Sequence, residues 1–328
     1  MQLETCYPTS ANRSKASKRL APSVIQNPKR MYIAYMQAFD YINATTIEQA
    51  VAVMYREGDM ARPLAGGTDI IVQLREGRRQ AKYVVNIKNI PRLNGLEWQP
   101  GGALLIGAAT PMHRIYGDKQ IAAAFPGLMD AFALIGGTAI QGRATLGGNL
   151  CTASPAGDTI PALIAHNAVC VIAGTQGWRE VDVEKFCIGP GRNALQRGEL
   201  LVEIRVPANA DAAHGQKFGA AYLRFIPRNE MDIAVASAGV SVVIEGGKVT
   251  RARVALGAVG PTPIVVTAAE QALQGASVSD AAAIDAAVAA ASAAATPISD
   301  MRGTIAQRKH LAGVMTRRAL ETAIARAS

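Results

Sequence analysis

The chain has 328 residues, 49% of them hydrophobic and 18% charged, enough to bury a sizeable core divided among two or three subdomains. Its formal net charge is +9, but the first thirty residues hold six cations (Arg13, Lys15, Lys18, Arg19, Lys29, Arg30) against one acid (Glu4), so about five of those charges sit in that segment. Aromatic residues make up only 5% and no Lys/Arg run is interleaved with them, which argues against nucleic-acid binding, and no apolar run approaches the ~20 residues of a membrane span.

Residues 1–30 lack the apolar core and cleavage site of a secretory signal, and no twin arginine precedes a hydrophobic run. Met31 directly precedes Tyr32-Ile33-Ala34-Tyr35, so residues 1–30 read as a disordered extension or a misassigned start, outside the fold. From 38 to 60 the pattern predicts a short strand, a cap at Thr45-Thr46 and a helix over Ile47–Glu57. Strands near Arg62–Ala65 and Tyr83–Ile87 then flank a further helix in a small α/β unit. That helix begins after Ala65-Gly66-Gly67-Thr68-Asp69, which follows Pro63-Leu64 and precedes Ile70-Ile71-Val72. The stretch reads as a strand end, a tight turn and a helix start, and it is also compatible with an ordinary glycine turn. Glycine reaches positive φ at little cost and lets a ligand approach successive N–H groups, and a helix start adds the positive end of a dipole. Thr68 or Asp69 is expected to cap the helix, with the Asp69 carboxylate not aimed at a phosphate.

Leu104–Thr110 opens a second unit, with helices near Met112–Tyr116 and Phe125–Leu134. The segment Thr145-Leu146-Gly147-Gly148-Asn149-Leu150-Cys151-Thr152-Ala153-Ser154-Pro155-Ala156-Gly157-Asp158 packs three glycines, Asn149, Thr152, Ser154 and Asp158 into fourteen residues. So little bulk makes a poor core, and the segment looks shaped by a polar ligand; its plain alternative is a glycine-rich loop. The two glycine stretches together look built to hold a diphosphate, yet neither fits a P-loop or a Gly-x-Gly-x-x-Gly fingerprint. A helix starts at Asp158-Thr159-Ile160, and Ala168–Ala173 and Leu200–Val206 read as strands. Past His214 the texture changes: Ile233–Glu245 and Lys248–Val259 alternate and are joined by Gly246-Gly247, a hairpin signal. Helices follow at Ala268–Leu273, at Asp280–Ala294, where Asp280 caps an alanine-rich run of high helix propensity, and at Gln307–Ala325.

Cys6, Cys151, Cys170 and Cys187 are too few and too spread for a disulfide framework or a metal site, and read as unpaired thiols in a reducing cytoplasm. His113, His166, His214 and His310 show no metal spacing, and no nucleophile–base constellation is visible, so no side chain is assigned a catalytic role.

Ala65 to Asp69, the spacing to Ala144-Thr145-Leu146-Gly147-Gly148-Asn149, the following Thr152-Ala153-Ser154-Pro155, and Arg228-Asn229-Glu230-Met231-Asp232-Ile233-Ala234 together resemble the FAD-binding subunit of molybdenum hydroxylases. That family includes the medium subunit of carbon monoxide dehydrogenase and the flavin domain of xanthine dehydrogenase, and the likeness runs from about Met31 to the C-terminus. The resemblance implies an α+β fold: a two-part FAD-binding domain of the PCMH type over 31–210, with subdomains of about 31–90 and 91–210, then a C-terminal domain over 215–328 with an antiparallel sheet covered by helices.

For the site, the resemblance implies that Leu64, Ala65, Gly66, Gly67, Thr68, Asp69 and Ile70 form the first FAD segment. Thr145, Gly148, Asn149, Leu150, Cys151 and Thr152 match the second, and Asp158 matches an acid that contacts the flavin's polar part. Leu201 and Arg224 match positions beside the isoalloxazine or its polar edge, though a leucine in an apolar strand is as readily core and an arginine as readily exposed. Tyr222 is a candidate to cover one ring face. Ile135 stands where xanthine dehydrogenase-like members use a phenylalanine, a departure that puts aromatic stacking on that face in doubt.

The implied function is a relay in which flavin carries the chemistry. A molybdenum-pterin large subunit oxidises the substrate, electrons pass through an iron–sulfur small subunit to this chain's FAD, and an external acceptor takes them, within a dimer of heterotrimers in the cytoplasm. The alternatives are a self-sufficient flavin oxidase of the related fold, which should carry a substrate base, and a flavin-less scaffold subunit, which the intact glycine stretches argue against.

Overall fold

The computed structural model describes residues 36–209 and 215–327; the basic segment 1–30, Cys6 and His214 lie outside them. The first unit runs β1 (Asp40–Asn43), α1 (Ile47–Glu57), β2 (Ala61–Leu64), α2 (Ile70–Arg75) and β3 (Tyr83–Asn86). β3 lies between β1 and β2 and parallel to both, so each connection must cross over, and α1 and α2 are those crossovers. Thr46 caps α1 by accepting from the Gln49 amide, and the helix buries Ala50 and Val51 against Val85 and Ile87.

The second unit begins with β4 (Leu96–Trp98) and β5 (Leu104–Gly107), followed by α3 (Met112–Tyr116), α4 (Lys119–Ala124), α5 (Pro126–Phe132), α6 (Thr138–Gln141), α7 (Leu146–Thr152) and α8 (Thr159–Ala165). It continues with β6 (Val169–Gly174), β7 (Gly177–Asp182), α9 (Val183–Phe186), β8 (Cys187–Gly189), β9 (Arg192–Asn193) and β10 (Leu200–Val206). Five of these strands form an antiparallel sheet in the order β4-β5-β10-β6-β7. Ile106 of β5, Ile172 of β6, Leu128 and Phe132 of α5 and Leu163 of α8 close its core. The glycine-rich second stretch departs from expectation here. It starts with a helix, α7, whose Leu146 and Leu150 are fully buried, so one face of the stretch is core after all. Leu150, expected among the cofactor contacts, belongs to that core face.

The C-terminal part comprises β11 (Lys217–Phe225), β12 (Ala236–Glu245), β13 (Lys248–Gly257), β14 (Ile264–Val265), α10 (Thr267–Leu273), α11 (Ala281–Ala294) and α12 (Ile305–Arg326). The four strands are antiparallel and in sequence order. Gly246 and Gly247 have φ of 56° and 76° between the paired residues Glu245 and Lys248, the left-handed pair that a tight hairpin needs. Asp280 caps α11 by accepting from the Ala283 amide.

Every residue of β12 except Glu245 is buried, because both faces of the strand are covered. Ala238, Val240, Val242 and Ile244 join the core that also holds Ala287 and Ala291 of α11 and Leu311, Met315 and Leu320 of α12. The intervening small residues meet α8: a Cβ on Gly239 would lie 2.3 Å from the Pro161 carbonyl oxygen, and the Ser241 hydroxyl donates to the Ala165 carbonyl at 2.6 Å. β11 has no counterpart among the sequence-predicted strands. Its small residues admit close neighbours, since a Cβ on Gly219 would lie 1.9 Å from the Ala323 carbonyl oxygen of α12. That packing requirement leaves too few β-branched residues to announce a strand. Among the described residues no helix is long and apolar enough to cross a membrane.

His166 ends α8 and is 4% exposed, with its ring edge-on to Phe125 at 5.6 Å and 5.3 Å from Phe218. Burial pushes its imidazole down from 6.5 to about 4. The unfolded chain therefore binds a proton between those values that the native state does not, so stability is lost as pH falls from about 6.5 towards 4, by about 3 kcal/mol. Urea unfolding across this range should show the slope in the wild type and a correspondingly smaller one in His166→Leu.

Candidate functional site

Two turns meet at the junction of the two N-terminal units. In the first, β2 ends at Leu64 and α2 begins at Ile70. Gly67 has φ 79°, a left-handed conformation that a residue with a Cβ adopts only under strain. A Cβ on Gly66 would lie 2.0 Å from the Arg143 carbonyl oxygen, so the first turn rests directly on the backbone that leads into α7. In the second, Thr145 caps α7 by accepting from the Gly148 amide, and a Cβ on Gly147 would lie 2.6 Å from the Ala108 carbonyl oxygen at the end of β5. A side-chain bridge joins the turns. The Asp69 carboxylate accepts from Gln73 Nε2 at 2.5 Å and from the Thr152 hydroxyl at 3.2 Å. Asp69 is thus the N-cap residue of α2 by position but makes no capping bond with its side chain; the carboxylate turns to α7 instead.

Between the turns runs a groove of about 860 Å³, within the range of small-molecule and cofactor sites. Ala65, Gly66, Gly67, Thr68, Asp69 and Ile70 line one wall, and Thr145, Gly148, Asn149, Cys151 and Thr152 another. Leu201 also faces the groove, at the point where β10 carries an irregularity in its pairing with β6 between Leu201 and Glu203. Such a bulge re-aims the side chains around it. Ile135 and Ile140 line the groove as well, together with Arg62, Gln73, Arg79 and much of the segment from Gly191 to Leu200, which includes β9 and the loop after it. Asn193 pins this segment to α7 by donating to the Cys151 carbonyl at 2.8 Å. Sequence reasoning missed Arg62, Gln73, Arg79 and the loop. The available signal was the Gly-Arg-Asn-Ala-Leu-Gln-Arg-Gly run over 191–198, a polar connection directly before a buried strand.

The two turns differ in what their amides are free to do. In α7 the Gly147 amide donates to the Ala108 carbonyl, that of Gly148 to the Thr145 hydroxyl and that of Asn149 to the Thr145 carbonyl. In the first turn the amides of Gly66, Gly67, Thr68 and Asp69 have no acceptor among the described residues. The wall that is less distinctive in sequence therefore holds the unpaired backbone donors. Burial pushes the Cys151 thiol up to about 12, which keeps it protonated and unreactive. Cys151, Cys170 and Cys187 are all free, and the described residues include no His/Cys/Asp/Glu cluster placed to hold a metal.

Asp158, Tyr222 and Arg224 do not line the groove. They form a buried cluster in which the Tyr222 hydroxyl donates to the Asp158 carboxylate at 2.5 Å and Arg224 pairs with its other oxygen at 2.6 Å. Arg224 also reaches the Asp232 carbonyl at 3.4 Å. Burial raises the Asp158 carboxyl, opposed by the Arg224 charge and the Tyr222 hydrogen bond, while burial and the adjacent carboxylate drive the Tyr222 phenol well above its ordinary range. Tyr222 is 1% exposed and presents no open ring face, contrary to its expected role over a flavin ring. The cluster ties the start of α8 to β11. Leu64 is likewise turned from the groove, packing with Leu74 and Val84.

Two family models cover most of the chain: the FAD binding domain in molybdopterin dehydrogenase over residues 37–209 and the CO dehydrogenase flavoprotein C-terminal domain over 221–323. The chain is 35% identical over 291 residues to the carbon monoxide dehydrogenase medium chain of Afipia carboxidovorans, covering 88% of this chain and 98% of that one. It is 29% identical to the xanthine dehydrogenase FAD-binding subunit of Escherichia coli O157:H7, over 88% of this chain and 96% of that one. Among solved structures it resembles a Cu,Mo-CO dehydrogenase with TM-score 0.83 and 34% identity, covering 89% of this chain and 99% of that one. Quinoline 2-oxidoreductase from Pseudomonas putida 86 gives a TM-score of 0.81 at 26% identity with the same coverage.

Gly66→Ala should force the two turns apart, with a thermal-melting loss equivalent to about 1–3 kcal/mol and weaker flavin uptake measured by fluorescence quenching. Arg224→Met leaves the Asp158 charge buried without its partner and should cost about 3–5 kcal/mol in denaturant unfolding. Adding Asp158→Asn should recover part of that loss, as a double-mutant cycle would show.

Proposed function

Because the chain belongs to the family of FAD-binding subunits of molybdopterin dehydrogenases, an oxidoreductase family, we propose that it is the FAD-carrying electron-transfer subunit of a molybdenum hydroxylase complex. It takes electrons from an iron–sulfur small subunit, fed in turn by a molybdenum-pterin large subunit, and passes them to an external acceptor. The complex is a dimer of heterotrimers in the cytoplasm. The family model for the FAD-binding domain matches residues 37–209, and the observation that carries the reading is the groove between the two glycine turns, whose Cβ-free edges and open first-turn amides suit a dinucleotide's diphosphate. Flavin supplies the redox chemistry when bound, accepting electrons one at a time and releasing them in pairs.

The chain's residues then hold and orient the cofactor. Ala65 to Ile70 receive the diphosphate on their amides, with Leu64 packed behind them. Thr145, Gly148, Asn149, Cys151 and Thr152 line the opposite wall, and Leu150 anchors that wall in the core. Leu201 and Ile135 supply an apolar surface for the isoalloxazine. Asp158 and Arg224, held by Tyr222, form a fixed polar cluster set back from the groove at the start of α8; it would act on the flavin's polar edge only through the segment after α7 that it positions. The functional domains are 31–210, with subdomains of about 31–90 and 91–210, and 215–328.

The test is the visible spectrum and mass-identified cofactor of the purified chain beside Gly148→Val. A Cβ at Gly148 would lie 2.8 Å from the capping Thr145 oxygen, so valine should disturb the cap as well as crowd the wall. Flavin bands and released FAD in the wild type, with at least a tenfold weaker retention in the variant, about 1.4 kcal/mol or more, are the expected result. A folded wild type that neither retains nor takes up FAD would overturn the proposal.

A further inference from the structure

Arg62 differs from three other largely covered arginines in having no close carboxylate. Arg179, Arg224 and Arg308 each meet a carboxylate within hydrogen-bond distance. Arg62, with its side chain 22% exposed, has only a 3.9 Å approach to the fully exposed Asp59; its buried Nε lacks a hydrogen-bond partner, as do those of Arg253 and Arg308, but those two have carboxylates close to their terminal nitrogens. A second cation stands close by. Burial, and after it the like charge of Arg79, lower the affinity of Arg62 for its own proton. Arg79 is exposed and tied by its Nε to Gln73 at 3.2 Å, and Gln73 in turn donates to Asp69. Both arginines line the groove. Arg62 lies on β2, four residues before Gly66, so both guanidiniums line the same groove as the turn whose amides are open.

Two like charges facing one cavity, one of them partly buried and lacking a hydrogen-bonded counterion, are relieved by an anion between them. Asp69 does not serve, since its carboxylate is engaged by Gln73 and Thr152. The α7 wall does not compete for that anion either, because the Gly147, Gly148 and Asn149 amides are occupied. Resting on the flavin reading above, we infer that Arg62 and Arg79 form the charge-neutralising subsite for the diphosphate of the ADP half of the cofactor, which sits on the first glycine turn. A guanidinium offers a fork of donors that matches phosphate oxygens, so the contact selects phosphate over the uncharged adenosine.

The experiment measures binding of ADP, adenosine and FAD by calorimetry to the full chain stripped of flavin, at low and high salt. Wild type should bind ADP at least about tenfold more tightly than adenosine, with the preference reduced at high salt. Arg62→Met should abolish most of that preference while leaving adenosine affinity in place, Arg62→Lys should retain part of it, and Arg79→Gln, at an exposed position, should reduce it without loss of thermal stability. Should Arg62→Met fail to fold, Arg62→Lys and Arg79→Gln decide: an undiminished ADP preference in both overturns the inference. So does a folded Arg62→Met that keeps the full preference, or a wild type that binds FAD yet treats ADP and adenosine alike. A wild type that binds neither FAD nor ADP would bring down the flavin reading together with the subsite.

Discussion

The site depends on a backbone-to-backbone contact: the first glycine turn lies so close to the Arg143 carbonyl that no side chain fits at residue 66. This contact sets the distance between the parallel three-stranded unit and the antiparallel five-stranded one, and so the width of the groove between them. The Asp69–Thr152 hydrogen bond adds register to that distance, since it links the first residues of α2 to the last residue of α7. A similar economy operates at Gly147, where α7 approaches the end of β5. Both glycines are placed by a neighbouring backbone rather than by a need for special dihedral angles.

The C-terminal part acts on the site through α8. That helix is buried along its whole length, gripped on one side by the second unit's core and on the other by the small-residue face of β12. The Asp158–Arg224–Tyr222 cluster fastens its first turn to β11, and the Ala258 amide donates to the Pro155 carbonyl just upstream at 2.7 Å. A paired charge at such a depth contributes little net stability but is costly to break. Its effect here is positional, because it ties the segment that follows α7 to the C-terminal sheet.

Much of the architecture was legible in the chain. The small α/β unit followed from the spacing of two apolar runs around a glycine turn, the long hairpin from Gly246-Gly247, and α11 from its Asp280 cap, whereas the parallel pairing of that unit's strands did not. What was hidden had physical causes. β11 is built from Gly219, Ala220 and Ala221, chosen to admit helices α5 and α12, and such residues carry no strand signature. The alternation in β12 normally marks one solvated face, yet here the small and hydroxyl residues meet another helix, a difference that periodicity cannot express. The second glycine stretch looked too slight for a core, but Leu146 and Leu150 face inward while Gly148 lines the groove.

What the sequence determined by itself was local: where the chain turns, which segments are helical or extended, and, through its motifs, which family it resembles. Those properties depend on dihedral preference, capping and apolar spacing within a few residues. Only the tertiary structure decided which donors remain open. It consumed the amides of the more distinctive second turn and left those of the plainer first turn free. It paired Asp158 with Arg224 across 66 positions of sequence, and it left Arg62 without a hydrogen-bonded counterion. Whether a polar group is satisfied depends on what the folded chain brings within about 3 Å of it, and no spacing along the sequence reports that.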